Sequence, residues 1–415
     1  MNAYRIGLAA TLAATLSCSA SAAEVEVLHW WTSGGEAAAV VELKKMLEAQ
    51  GDTWKDFAVA GGGGESAMTV LKSRVVSGNP PTAAQIKGPS IQEWGDEGVL
   101  ANLDPVAESE NWNELLPEAV SEVMKYDGHY VAVPVNVHRV NWMWANPAVF
   151  EEAGAEIPTT WDEFFAAADK IKAAGITPVA HGGQPWQDAT TFETVVLGVG
   201  GAEFYRKAFV DLDAEALNSD TMVQSFEILR RIKEYTDEGA PGRDWNLATA
   251  MVINGDAAMQ FMGDWAKGEF AAAGLTAGED YLCAPAPGTG DDFTFNIDSF
   301  VMFSMSGEEA GEGQEHLAST IMSPEFQEIF NLNKGSIPAR LDVSMEPFDQ
   351  CAKESNEDFV QAAEAGTLVP SMAHSMSTFS STQGAIYDVV TQFYNSDMSA
   401  EDAAQNLVSA VQSAM

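Results

Sequence analysis

The sequence predicts an α/β protein with two domains, and three observations support this prediction. The chain has 415 residues, which is more than one hydrophobic core usually serves. Short apolar stretches that are typical of buried strands alternate with stretches that have the apolar spacing of helices. This alternation favours parallel sheets layered with helices. Apolar residues make up 46% of the chain, which is enough for a substantial core.

The first 23 residues are ordered like a secretory signal peptide. Arg5 provides their only positive charge, an apolar run covers residues 6–16, and small residues occupy positions 19–23. We expect cleavage at the end of the small-residue stretch, so that the mature protein begins near Glu24 and is delivered to the periplasm. The residues before Cys18 do not include the small-residue pair of a lipid-anchor signal, which favours a protein without a lipid anchor.

Strands and helices alternate through the mature chain. The predicted strands cover residues 25–28, 83–86, 131–137, 176–180, 257–261 and 297–303. The predicted helices cover residues 36–50, 67–76, 91–97, 164–174 and 222–238. No apolar run after the first 23 residues is long enough to span a bilayer, so we expect no direct membrane insertion.

Local signals support several of these elements. In the first helix and in helix 222–238, apolar residues recur every three or four positions, as on the buried face of a helix. Residues 158–163 contain a capping threonine, Thr159 or Thr160, and acidic first-turn residues ahead of helix 164–174. Gly175 ends that helix.

The balance of charges excludes two classes of partner. The formal charge is −40, from 61 acidic and 21 basic residues. So large a negative charge would repel nucleic-acid phosphates and anionic lipid heads. We therefore expect neither nucleic acid nor a membrane surface as a partner, and we expect the protein to act as a monomer.

Removal of the first 23 residues leaves two cysteines, Cys283 and Cys351. In an oxidising compartment such a pair is commonly bridged, so we expect a disulfide. The chain has no CxxC motif and no histidine at metal-binding spacing near these cysteines. We therefore assign no metal and no cofactor.

Candidate binding residues follow two of the predicted strands. Trp30 and Trp31 come directly after the first strand, at the carboxyl end where open α/β sheets bind ligands. Two adjacent tryptophans cannot both face one core layer, so we expect at least one to line a pocket. Glu36 starts the next helix, where its alternative role is to interact with the helix dipole. Lys87 follows the strand at 83–86, where the alternative is a solvated surface lysine.

A second set of candidates lies further along the chain. Trp245 and Trp265 flank a segment that turns from helix into strand. Asn296 and Asp298 alternate along one presumed strand, so we expect their side chains to face the same side. The alternative role of these two residues is a local hydrogen bond in a turn or at a strand end.

Three other features are weaker signals. Lys334 and His374 are isolated polar residues in apolar or small surroundings, and each by itself is more typical of a structural or surface position. Residues 61–64 are four consecutive glycines before a helix. This run lacks the Gly-Lys-Ser/Thr ending of a phosphate-binding loop, so we interpret it as flexible backbone at the edge of a domain.

The candidate residues match the chemistry of a neutral sugar. A sugar presents apolar C–H faces and a rim of hydroxyls, so its site combines aromatic rings with charged or amide groups. A different function would use carboxylates such as Asp264 and Asp298 as acid and base in glycoside cleavage. Because no nucleophile motif accompanies these carboxylates, we expect a protein that is not an enzyme.

Several segments together resemble the sugar-binding proteins of bacterial ABC importers, in the extracellular solute-binding protein family, and most of all its glucose/mannose-binding branch. The similarity runs along nearly the whole mature chain. The segments that carry it are residues 26–36 (EVLHWWTSGGE), 78–81, 85–89, 130–136, 158–164, 181–186, 262–265, 296–299 and 334–338.

The resemblance implies a two-lobe periplasmic binding protein fold, or Venus flytrap, in which segments cross between α/β lobes. We expect the first lobe at residues 24–135 plus about 290–340, and the second at residues 136–289 plus about 341–415. The resemblance also implies that the lobes close around a sugar, that the closed form docks on the membrane permease of the importer, and that the two cysteines are bridged.

The resemblance also implies which residues contact the sugar. At positions that match the family's motifs, the expected site residues are Trp30, Trp31, Glu36, Lys87, Trp245, Trp265, Asn296, Asp298, Lys334 and His374, with Gln184 and Trp186 as further candidates. We predict a monosaccharide ligand. Glucose is the first candidate, and mannose and galactose are the next. An oligosaccharide or a polyol stays an alternative, because loops decide the length of the cleft.

Overall fold

The computed structural model describes residues 23–305 and 308–415. The predicted signal peptide, apart from its last residue, lies outside the described residues. Strands β1 to β14 cover Glu24–His29, Thr53–Ala58, Ala83–Gln85, Lys125–Tyr126, His129–Tyr130, Ala132–Pro134, His138–Arg139, Trp142–Ala145, Thr177–Val179, Ala257–Phe261, Leu282–Pro285, Phe293–Asn296, Ser299–Met302 and Leu368–Pro370.

Helices connect and cover these strands. Helices α1 to α18 cover Gly34–Ala49, Glu65–Val76, Pro89–Asp96, Asp104–Ser109, Trp112–Leu115, Glu118–Val123, Pro147–Ala153, Trp161–Ala173, Pro185–Phe209, Ala214–Leu217, Asp220–Lys233, Trp245–Asn254, Ala266–Ala272, Glu308–Met322, Pro324–Lys334, Gln350–Ala365, Ser380–Tyr394 and Ala400–Ala414. None of the helices in the described ranges is long and apolar enough to cross a membrane.

The first lobe is built on a five-stranded sheet with the order β2, β1, β3, β13, β6. β1 pairs in parallel with β2 and β3, as the alternation of strands and helices predicts. β13 pairs antiparallel with β3 and β6. The prediction of parallel layers is therefore wrong at β13, and it is also wrong at β8, which pairs antiparallel with β10 and β11. β13 reaches its sheet from a distant part of the chain and not through the strand–helix crossover that parallel pairing requires.

The second lobe is built on a four-stranded sheet with the order β11, β8, β10, β9. Helices α9, α11, α17 and α18 pack on one another and enclose an apolar core. The predicted cap of α8 is confirmed, because Thr160 Oγ1 accepts a hydrogen bond from the Glu163 amide. The helix predicted at 222–238 ends earlier, at Lys233, because the chain turns there toward Gly239 and Pro241.

A three-stranded sheet with the order β14, β12, β7 carries the chain between the two lobes. β7 follows β6 of the first lobe and precedes β8 of the second. β12 follows β11 of the second lobe and precedes β13 of the first. The sequence limits of the lobes stay a prediction.

Two connections tie distant parts of the chain together. The predicted disulfide between Cys283 and Cys351 is confirmed, and it joins β11 to the start of α16. Helices α1 and α13 approach each other closely enough that the Gly35 amide donates a hydrogen bond to Glu269 Oε1 over 3.0 Å. Because α1 belongs to the first lobe and α13 packs in the core of the second, the two lobes are in contact at this point.

Candidate functional site

One narrow cavity of about 20 Å³ brings together side chains from both lobes and from the crossing segments. All ten residues that the sequence predicted for the site line this cavity. The lining residues are Trp30, Trp31, Glu36, Gly62, Lys87, His138, Trp186, Trp245, Trp265, Asn296, Asp298, Lys334 and His374. Gln184 does not line the cavity, and instead its Oε1 accepts a hydrogen bond from Trp186 Nε1 over 3.0 Å.

Tryptophan side chains provide most of the apolar wall. Trp30 and Trp31 both reach the cavity from the end of β1, and Trp31 also packs edge to face against Phe300, with ring centroids 5.5 Å apart. Trp186 and Trp245 stand at the starts of α9 and α12. Each of these tryptophans sits where a strand or helix begins or ends, because only there can a ring leave the core and face a cleft.

Charged groups on the cavity wall are paired with one another. Lys87 Nζ lies 3.0 Å from Asp298 Oδ1, and Lys334 Nζ lies 2.9 Å from Glu36 Oε1. Burial would raise the pKa of Asp298, but the charges of Lys87, His138 and Lys334 outweigh it and hold this pKa well below its usual range. Asp298 is therefore an ionised acceptor.

His138 is the main polar residue of the cavity wall that the sequence did not predict. Its Nε2 lies 2.9 Å from Asp298 Oδ2, and its Nδ1 contacts Asp264 Oδ1. Asp264 Oδ2 also accepts a hydrogen bond from the backbone amide of Arg139 over 3.0 Å. His138 thus links the loop that carries Trp265 to the carboxylate at the start of β13. No sequence motif singles out a histidine in a two-residue crossing strand such as β7.

The prediction that Asn296 and Asp298 alternate on one strand is wrong. Asn296 is the last residue of β12, whereas Asp298 precedes β13, and the two strands belong to different sheets. The chain crosses between sheets at Ile297. Both side chains still reach the cavity. In the described part of the chain, the buried Asn296 Oδ1 has no hydrogen-bond partner, so it can accept a bond from a ligand.

Of the two roles that their sequence surroundings alone favoured for Lys334 and His374, structural or surface, burial excludes the surface one. Both side chains are buried and border the cavity, so neither is a surface residue. Burial, together with the positive charge of Lys87, holds the pKa of His374 well below its usual range. The His374 imidazole is therefore neutral.

The interpretation of glycines 61–64 as flexible backbone is replaced by a packing role. A Cβ atom on Gly62 would lie 2.9 Å from Trp245 Cδ1, and one on Gly63 would lie 3.0 Å from Trp186 Cδ1. Gly64 has a φ of +83°, which side chains rarely tolerate. Gly62, Gly63 and Gly64 are needed because their backbone packs directly on tryptophan rings.

Gly62→Ala is therefore expected to weaken ligand binding about tenfold, because the added methyl displaces the Trp245 or Trp186 ring at a typical overpacking cost of about 1–3 kcal/mol. Calorimetric titration measures this change. Gly290→Ala is the matched control, since no atom lies within 4 Å of a Cβ at that exposed turn. Equal affinities for both variants and the unsubstituted protein would contradict the packing role.

Behind the cavity, a buried carboxylate holds the loop that carries His374. Glu193 Oε1 accepts from Ser371 Oγ over 2.6 Å, while Oε2 accepts from Tyr205 Oη over 2.7 Å. Oε2 also accepts hydrogen bonds from the backbone amides of Met372 and Ala373, over 2.8 and 3.1 Å. Burial raises the pKa of Glu193 to about 7, although these hydrogen bonds act in the opposite direction.

Glu193→Gln is expected to flatten the pH dependence of stability. The folded pKa of about 7 exceeds the ordinary 4.5, so this group contributes stability below pH 4.5 and loses it as the pH rises through 7. The loss between these pH values is about 3 kcal/mol. Urea unfolding between pH 4.5 and 8 measures it. Glu203→Gln, at an exposed position of the same helix, should keep the wild-type slope. Parallel profiles for wild type and Glu193→Gln would refute the assignment.

The sequence and the fold both match known proteins. Residues 31–311 match the family model described as "Bacterial extracellular solute-binding protein". A "Probable sugar-binding periplasmic protein" of Brucella suis is 54% identical over 390 residues, which cover 94% of this chain and 92% of that protein.

Solved structures share the two-lobe architecture. The solute receptor AcbH, described as exclusively preferring β-D-galactopyranose, has a TM-score of 0.79 at 19% identity, covering 94% of this chain and 98% of that one. A "Chitin oligosaccharide binding protein" has a TM-score of 0.80 at 18% identity, covering 95% and 99%. At these identities the likeness shows the fold, and the predicted two-lobe α/β fold is confirmed.

Proposed function

The chain belongs to the bacterial extracellular solute-binding protein family, and from that premise we propose that it is the periplasmic substrate-binding component of an ABC sugar importer. It binds a monosaccharide in the cavity between the lobes. Glucose is the first candidate ligand, and mannose and galactose are the next. The observation that carries this proposal is the wall of five tryptophan rings interleaved with paired charged groups. Aromatic rings bind the C–H faces of a sugar, while carboxylates, lysines and amides satisfy its hydroxyls.

The small size of the cavity supports a monosaccharide over a longer sugar. Its volume is about 20 Å³, far below the roughly 300–1,000 Å³ of open small-molecule pockets, so even a hexose requires the lobes to move apart from this closed arrangement. An oligosaccharide is the second candidate, because a protein of the same fold is named for chitin oligosaccharides. A longer sugar would require the contact between α1 and α13 to open, since Gly35 and Gly268 are too close there to admit even a Cβ atom.

The paired carboxylates support binding over catalysis. Asp264 and Asp298 both contact the ring of His138, so neither is free to serve as acid or base in glycoside cleavage. Asp298 is in addition held ionised, which removes its ability to donate a proton. Release of glucose from a glycoside by the pure protein would contradict this part of the proposal.

Delivery to the permease follows from lobe closure in this proposal. The protein works as a monomer in the periplasm, closes on the sugar, and presents the closed form to the membrane subunits of the importer. Small-angle scattering with and without sugar tests the closure, since hinge closure shortens the radius of gyration. An unchanged radius on saturation with a bound sugar would count against it.

Calorimetric titration with glucose, galactose, mannose and maltose tests the ligand. We expect glucose to bind with a micromolar or lower Kd, and we expect Trp265→Ala to abolish the heat signal. Trp94→Ala is the matched control, because this indole packs against Phe303 and does not line the cavity. Tighter binding of maltose than of any hexose would favour the oligosaccharide alternative, and no binding of any sugar would refute the proposed function.

A further inference from the structure

His374 is held by α9 and by two tryptophan rings. Its Nε2 lies 3.0 Å from Thr190 Oγ1. The ring packs edge to face against Trp265 and Trp186, with centroids 4.8 and 5.9 Å apart. Glu193 binds the backbone of the two preceding residues from the same helix. Because 186, 190 and 193 lie on one face of a helix, one stripe of α9 fixes the orientation of the His374 ring.

The Thr190 hydroxyl has only one proton, and its neighbours decide where that proton lies. Thr190 Oγ1 is 2.8 Å from the backbone carbonyl oxygen of Trp186. Two oxygens at this distance repel each other unless a proton lies between them, and a carbonyl oxygen can only accept. The hydroxyl therefore donates to Trp186 and can only accept from His374. The proton of the 3.0 Å contact belongs to His374 Nε2.

A neutral imidazole that carries its proton on Nε2 has a lone pair on Nδ1. His374 is neutral for the reasons given above. Within the described part of the chain, His374 Nδ1 has no hydrogen-bond partner and is not sealed off by neighbouring atoms. The ring also borders the cavity. A group that binds at Nδ1 must therefore donate a hydrogen bond.

We propose that Thr190 is a positioning residue that fixes the tautomer of His374, so that His374 Nδ1 accepts a hydrogen bond from a sugar hydroxyl. The role of Nδ1 rests on the proposed function, whereas the tautomer does not. The proposal names a specificity rule: one hydroxyl of the sugar must be free and able to donate. A sugar with an ether, a fluorine or a hydrogen at that position is rejected.

Nitrogen-15 NMR of the imidazole rings tests the tautomer without any sugar. We expect the His374 signals of a neutral ring protonated at Nε2. Thr190→Val should shift this ring toward the Nδ1-protonated form, while Thr190→Ser should keep the wild-type signals. An Nδ1-protonated ring in the unsubstituted protein would overturn the proposal. Because this spectrum needs no variant, it tests the tautomer even if Thr190→Val does not fold.

Titration with glucose and its monodeoxy and monofluoro derivatives tests the specificity rule. At one ring position, replacing the hydroxyl by fluorine should weaken binding as much as replacing it by hydrogen does. Fluorine can accept a hydrogen bond but cannot donate one. Thr190→Val should weaken glucose binding about tenfold, and Thr190→Ser should leave it within about threefold. Tight binding of every fluoro sugar would overturn the role of Nδ1. If no sugar binds while the Nε2 proton is observed, the proposed function fails and the tautomer assignment stands.

Discussion

Asp298→Asn is expected to weaken sugar binding by about two to three orders of magnitude. The Asp298 carboxylate lies 3.0 Å from Lys87 Nζ and 2.9 Å from His138 Nε2, and it is almost fully buried. An asparagine would leave Lys87 without its countercharge and His138 without a carboxylate partner. Breaking a buried ion pair from one side typically costs about 3–5 kcal/mol, and each 1.4 kcal/mol is about tenfold in affinity.

Calorimetry on the purified variant measures the loss of affinity. Thermal unfolding measures how much the substitution lowers the stability of the folded protein. Asp397→Asn is the matched control, because Asp397 is exposed and distant in sequence from the site. It should bind like the unsubstituted protein. If Asp298→Asn lowered the Tm but kept the Kd within about threefold, Asp298 would be a structural residue and not part of the binding site.

Replacing both cysteines by serine is expected to lower the free energy of unfolding by about 4 kcal/mol. The disulfide joins residues that are 68 positions apart, and closing a loop of this length restricts the unfolded chain by about that amount. Neither Cys283 nor Cys351 lines the cavity, so sugar affinity should stay unchanged. Urea unfolding and calorimetry on the same variant separate the two effects.

Reduction of the unsubstituted protein during urea unfolding provides the control for the serine side chains. It should reproduce the lower unfolding midpoint of the double variant. A stability change below about 1 kcal/mol in both experiments would contradict the stabilising role. A loss of sugar affinity on reduction would instead indicate that the bond between β11 and α16 also holds the cavity in shape.

Elements that depend on neighbouring residues were predicted from the sequence. Strand β1 and helix α8 with a threonine cap follow from periodicity and capping within a few residues. The cysteine pair followed from counting the cysteines that remain after the predicted signal peptide. Eight of the ten predicted residues that line the cavity lie in segments that carry the family resemblance, whereas Trp245 and His374 lie outside those segments.

Features that depend on distant residues were not predicted. Two of these features are the antiparallel pairing of β13 and the crossing of the chain between Asn296 and Asp298. Both depend on the sheet in which each strand pairs. His138 was missed because its partners Asp264 and Asp298 are more than a hundred positions away. The glycines at 61–64 have a packing role that is apparent only when Trp186 and Trp245 lie against them.

The sequence by itself determined the α/β class, the positions of a minority of the helices and strands, the cysteine pair and the residue types of the site, because short-range spacing and side-chain chemistry dictate them. Only the tertiary structure decided that two lysines are neutralised by carboxylates, that His138 links both lobes, and that Thr190 orients His374. These properties arise from contacts between residues that folding alone brings within hydrogen-bond distance, so no local pattern encodes them.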